Sequence, residues 1–369
     1  MNIQTIKGTY TTIGNKKTTN KVIYLPFNNS HLDIALILAE SSTFDSYIYV
    51  ENFDIKAREY LRQNPETKIK FILDRDSVAG LLPNMSKVVV FLGYVVPFIP
   101  FHINEIVATC LKVKLPIYEV PHGMFQTGIN ITDDSKLIST RSHYYGFGQT
   151  LPSISNIKLY WFGENGFGYP RTVKFENYKE RQLPNFTLIT SNTNWYLYSP
   201  KDKRKFYTEV FNYARENPSE IFIWCAHPAE FSENAYSSNA LNLRPENIYL
   251  YGLDKDIYFH GLEGTDDLIP YCEYGISTVT TCLLEFEIHK KRVNVFTCPG
   301  VEKLISEIEE KHVFSNRQEI KKSASYLKTG FLKNFDPELY DQQLSNDHII
   351  DENNNHNYLS SFLPKNINI

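Results

Sequence analysis

The stretch IWCAHPAE, residues 223–230, places a histidine–proline pair where a short apolar run gives out. His227 there can donate to a phosphate oxygen, with Pro228 fixing the turn that aims it; an ordinary turn would carry the same pair. Three further stretches raise comparable chemistry. In VPHGM (120–124), His122 lies between a proline and a glycine, where an exposed imidazole titrates near neutrality and suits proton transfer or oxyanion contact. In FGENGFGYPR (162–171), three glycines surround Glu164 and allow close backbone approach to a ligand. A carboxylate shielded in a closing cleft has its pKa raised toward the range of a working base, whereas the alternative is a glycine-rich hinge with a solvated Glu. In GISTVTTCLLE (275–285), Ser277, Thr278 and Thr280 precede a helical pattern, so hydroxyls and open backbone N–H groups at a helix start would form an anion site. Ser277 is equally an ordinary helix cap. Glu285 follows Thr278 by about two helical turns, placing it either toward ribose hydroxyls in the same cleft or in solvent.

Other chemistries find little support. No GxGxxG follows the first strand pattern and no GxxxxGK[ST] occurs, which disfavours dinucleotide redox chemistry and P-loop hydrolysis. The ten histidines are dispersed without HExxH spacing, and Asp266-Asp267 reads as a helix-start acidic pair, so no metal site is expected. A net charge of −4 with 22% charged residues leaves no nucleic-acid footprint. Five scattered cysteines without a CxxC pair suit a reduced, cytoplasmic chain. No stretch reaches the roughly 18 apolar residues of a spanning helix. The longest candidate, 88–101, is broken by two prolines and a glycine and reads as a buried strand with its loop.

The elements that must position these groups show in the apolar pattern. β-branched runs at 21–27, 46–52, 69–74, 87–92 and 116–120 alternate with helical spacing at 31–42, 54–64 and 103–114, which predicts a parallel sheet with crossover helices. A polar, strand-poor segment at 171–184 interrupts the alternation, which restarts at 186–190 and continues through 220–226, 247–252, 274–278 and 292–298. The expectation is therefore an α/β chain of two Rossmann-like domains with parallel sheets facing across a cleft, divided as 1–175 and 176–340, with a polar tail at 341–369. His227 and Ser277 then fall on neighbouring strand ends of one domain.

The order of these motifs over roughly residues 20–310 resembles bacterial GT-B glycosyltransferases that use cytidine-activated donors, namely sialyltransferases and Kdo transferases. Glu164-Asn165-Gly166, His227-Pro228 and Ser277-Thr278 match their acidic–acidic–Gly, His-Pro and Ser-Ser/Thr motifs, except that Asn165 stands where a second acid is frequent. The chain is also similar to CDP-glycerol glycerophosphotransferases, through His122-Gly123, Gly168-Tyr169-Pro170-Arg171, His227-Pro228 and the Ser277–Glu285 segment. The Trp that usually precedes His-Gly and the Asp-Tyr before the Ser pair are missing.

The first resemblance implies an inverting, metal-independent transfer of an ulosonic acid from a CMP-sugar to a glycan or lipid-linked glycan hydroxyl, in capsule or lipopolysaccharide synthesis. It requires no cofactor beyond the donor. In it Glu164 would be the base, His227 would assist the CMP phosphate, and Ser277 and Thr278 would bind it; the residues themselves add His122 as an alternative base and Pro228, Thr280 and Glu285 on the nucleotide side. The second implies transfer of a CDP-linked polyol phosphate in teichoic-acid-like polymer synthesis, and a nucleotide-sugar 2-epimerase is a further alternative. A protein acting on lipid-linked glycans is compatible with peripheral contact at the inner face of the cytoplasmic membrane.

Overall fold

The alternating apolar runs form two six-stranded parallel sheets, each in its own compact unit. This computed structural model describes residues 20–51, 53–91, 101–113, 115–120, 129–131, 137–139, 157–159, 161, 166–177, 181–193, 198–227, 230, 236–262, 264–302, 313–321, 327–330 and 332–345. Unit 1 comprises Met1–His122, Arg141–Val173 and Lys333–His356; unit 2 comprises Gly123–Thr140, Lys174–Leu332 and Asn357–Ile369.

In unit 1 the elements are β1 (Lys21–Leu25), α1 (Asn29–Ser41), β2 (Asp45–Tyr49), α2 (Asp54–Gln63), β3 (Lys70–Ile72), α3 (Arg75–Leu81), β4 (Lys87–Val90), α4 (Phe101–Lys112) and β5 (Ile117–Glu119). The antiparallel pair β6 (Ile129–Ile131) and β7 (Leu137–Ser139) belongs to unit 2, and β8 (Ile157–Lys158) completes the first sheet in the order β3-β2-β1-β4-β5-β8. Val22 to Leu25 of β1 are fully buried, because a central parallel strand is covered on both faces and has no polar side to show. Helix α1 is buried through Leu32, Ile34, Ala35, Leu38 and Ala39, and its start is capped by Asn28, whose side chain accepts from the His31 amide at 2.9 Å.

The second sheet is built from β9 (Thr187–Ser191), α5 (Pro200–Glu216), β10 (Phe222–Ala226), α6 (Tyr236–Leu241), β11 (Ile248–Leu250), α7 (Thr265–Leu268), β12 (Tyr274–Ser277), α8 (Cys282–Ile288), β13 (Arg292–Phe296), α9 (Pro299–Glu302), β14 (Val313–Phe314) and α10 (Arg317–Ile320). Its order is β11-β10-β9-β12-β13-β14. Counted within each six-stranded sheet, both run 3-2-1-4-5-6, the Rossmann order, so the direction of winding reverses between β1 and β4 and again between β9 and β12. Helix α5 opens on a capping box in which Ser199 accepts from the Asp202 amide and Asp202 accepts from the Ser199 amide. Its apolar face packs on β10, with Tyr207 stacked on Trp224 at 5.2 Å and Phe206 edge-on to the same indole at 5.7 Å. Such aromatic pairs add about 0.5–1.5 kcal/mol each beyond the area they bury.

Helix α11 (Pro337–Ser345) returns to unit 1, whereas the sequence division had left residues up to 340 with the second domain. Its Asp341 accepts from Ser42 Oγ at 2.6 Å, from the Thr43 amide at 2.7 Å and from Thr43 Oγ1 at 2.6 Å, closing the C-terminal end of α1. The segment leading into it runs against the backbone at Gly168, whose φ of +82° and 1.9 Å clearance between a built Cβ and Asn334 O admit only glycine.

Candidate functional site

The winding reversal of unit 2 opens at the carboxyl ends of β9 and β12, where ligands bind in sheets of this kind. β9 ends in Ser191, followed by Asn192 and Thr193, and it lies between β10 and β12. His227 and Ser277 are therefore not on neighbouring strands, as the sequence order suggested; the end of β9 separates them and is bonded to both. On one side the His227 amide donates to Ser191 O at 2.9 Å. On the other, the Asn192 amide donates to Thr278 Oγ1 at 2.8 Å, and the hydroxyls of Thr190 and Ser277 lie 2.7 Å apart.

His227 is exposed, and its backbone leaves β10 at the next position after Ala226. Loss of water around its imidazole lowers the pKa below the usual histidine value, and the nearby Glu230 carboxylate opposes that shift. The shift favours the neutral ring, which offers one N–H donor and one acceptor. Two residues back, burial pushes the Cys225 thiol up to about 12, so it supplies no thiolate nucleophile at this end of the sheet.

Ser277 and Thr278 are fully buried rather than open to a ligand. Ser277 Oγ donates to Thr278 O at 2.7 Å, and Ser277 caps no helix, because α8 begins only at Cys282. The amide donors expected there are bonded within the unit: Thr278 N to Thr190 O at 3.2 Å, Val279 N to Tyr198 Oη at 2.7 Å, and Cys282 N to Thr280 Oγ1 at 3.1 Å. The helix start therefore lacks the open row of N–H groups that the sequence reading assigned to an anion. The physical reason is the turn at 279–281 inserted between strand and helix, within which Thr280 Oγ1 takes the Cys282 amide. Glu285 consequently stands in the first turn of α8, not two turns in, where the helix dipole favours a carboxylate; it is buried at 5% exposure. Gly275 sets this packing, since a Cβ there would lie 2.4 Å from the Phe286 ring.

One group escaped the sequence reading. Glu230, at 0% exposure, accepts from the Thr193 amide at 2.7 Å, from Thr193 Oγ1 at 2.5 Å and from Ser191 Oγ, while its own amide donates to His227 O at 2.7 Å. Ser191 Oγ in turn accepts from Trp224 Nε1 at 2.8 Å, which ties the loop to the aromatic core. Lys203 of α5 is half-buried and loses basicity through desolvation, with Glu230 opposing.

His122, Glu164 and Pro228 lie outside the described residues. The Gly168–Arg171 motif is described and is absorbed by unit 1: Tyr169 bridges to Asn334, and the buried Arg171 donates to Ser30 Oγ at 2.9 Å and lies 3.7 Å from Asp33 Oδ2 at the start of α1. The close approach of Gly168 is thus to the chain itself and not to a ligand. Among the described residues no helix is long and apolar enough to cross a membrane, and no three His, Cys, Asp or Glu side chains gather as a metal site.

No protein-family model matches the chain, and no curated protein matches it. Among solved structures it is similar to S. aureus MnaA with UDP (12% identity, TM-score 0.49, covering 86% of this chain and 94% of that one). It is similar also to the UDP-GlcNAc 2-epimerase of Methanocaldococcus jannaschii in complex with UDP-GlcNAc and UDP (11%, TM-score 0.48, 88% and 98%). The wall teichoic acid polymerase TagF gives 12% identity and a TM-score of 0.42 over 95% of this chain and 89% of that one.

Proposed function

We propose that the chain is a transferase that draws its activated group from a cytidine nucleotide, with the nucleotide phosphate held in unit 2 at the ends of β9 and β10. The observation that carries this reading is the exposed His227 after β10, fixed against the end of β9 by Ser191 and Glu230. A neutral imidazole suits a departing nucleotide phosphate, whose second pKa of about 6 lets it leave as a dianion that needs a hydrogen bond more than a proton. Among the activated groups, a CDP-linked polyol phosphate is favoured over a CMP-linked ulosonic acid. The His-Gly, GYPR, His-Pro and Ser-to-acidic-helix order is kept throughout, whereas Asn165 breaks the acidic pair of the ulosonic acid enzymes. In this reaction the acceptor oxygen bonds to the distal phosphorus, the bond from that phosphorus to the bridging oxygen breaks, CMP departs, and the acceptor proton passes to a base. His122 or Glu164 is proposed for that base.

Titration calorimetry of the full chain with CMP, CDP, UDP and GDP tests the reading. The expected result is a preference for CDP of at least about tenfold, or 1.4 kcal/mol, over UDP and GDP. A preference for UDP would replace it with the nucleotide-sugar epimerase reading, and binding of none of the four would remove both.

A further inference from the structure

Glu230 is a fully buried acid whose described partners are all donors. They come from Ser191, the last residue of β9, and from Thr193 in the loop that follows it, and the Glu230 amide holds the carbonyl of His227 after β10. Three residues thus close a ring across two strand ends, with Trp224 anchoring it from the core side through Ser191. An acceptor-only group satisfied by three donors does not slide, because any shift leaves a buried N–H or O–H without its acceptor.

We infer that Glu230 is a positioning residue, which braces the turn carrying His227 and supplies the negative charge beside its imidazole. The consequence for the nucleotide site rests on the reading of His227 given above; the brace itself does not. Among the described residues, Glu230 favours the protonated ring, and Lys203 on α5 lies within the field of the same carboxylate. Removing the Glu230 charge should therefore push His227 further toward its neutral form, an effect that a purely space-filling residue would not produce.

The test uses the full chain without nucleotide, so that its failure is separable from a failure of the cytidine reading. Histidine Cε1 is labelled and titrated by NMR, with His227 assigned from the spectrum of His227→Gln. Glu230→Gln keeps the size and one carbonyl acceptor, and it is expected to lower the His227 pKa by about half a unit, with Glu230→Asp restoring part of the loss. An unchanged or raised pKa in a folded Glu230→Gln chain overturns the proposal. Thr193→Val provides a second reading should that variant not fold, since it removes one donor and leaves the charge. Amide exchange at Thr193 and His227 is then expected to quicken about tenfold, in keeping with a lost hydrogen bond to a charged group. Exchange equal to that of the unaltered chain at both positions would overturn it.

Discussion

At the residue scale, the chemistry of the site turns on which groups hold protons. His227 and His289 are both depressed, by the same first cause: partial loss of water around an imidazole disfavours its charged form, even where, as at His227, the residue keeps an exposed edge. His289 closes α8 as its C-terminal cap, a place where the helix dipole would favour a cation, yet desolvation and the Lys291 charge outweigh the dipole and Asp266 and bring its pKa down to about 4. In the unfolded chain the same ring titrates near about 6.5. Between these values the unfolded state binds a proton that the folded state excludes, so this contribution to stability is present in full above the unfolded value and is lost as pH falls toward the folded one. The thermal midpoint should drop between neutral pH and about pH 4, and His289→Gln should flatten that slope. A variant with the slope of the unaltered chain would contradict the assignment. His227 was legible in the sequence because a proline follows it directly after an apolar run. Glu230 was not, because a carboxylate four residues beyond a strand has the pattern of any exposed loop, and only its burial against Ser191 and Thr193 separates it from one.

At the scale of elements, the strands could be read from their composition because parallel strands covered on both faces must be apolar throughout; β1, β9 and β10 match their runs to within a few residues. The short helices α3 and α6, of seven and six residues, carry too few turns to leave a periodic signal. The misreading at Ser277 has a similar origin, since hydroxyls after a strand resemble a helix cap until the inserted turn at Val279–Thr281 is seen. The glycines of 162–171 suggest, from sequence, room for a ligand. Gly168 instead gives room to the segment that leads into α11, a contact between residues 166 positions apart. Gly168→Ala should therefore cost about 3 kcal/mol or more, combining a left-handed backbone with a clash against main-chain atoms that cannot rotate away. Urea unfolding measures this loss, and a change under about 0.5 kcal/mol, the range of an ordinary surface substitution, would contradict it.

At the scale of the whole molecule, two Rossmann-ordered sheets repeat one solution, a winding reversal beside the first strand of each sheet. Unit 1 places Arg171, Ser30 and Asp33 at the start of the helix that follows its first strand and binds them to one another. Unit 2 leaves His227 exposed beside a braced loop. The duplication was legible because the alternation stops and restarts, while the return of α11 to unit 1 was not, since the pairing of Tyr24 with Tyr340 spans 316 positions and has no local pattern. The central claim is that unit 2 holds the nucleotide phosphate at the ends of β9 and β10. Hydrogen exchange of the full chain with and without saturating CDP tests it most directly. The account predicts added protection at the amides of Asn192, Thr193 and His227, and protection confined to unit 1, or none at these three amides, would contradict it.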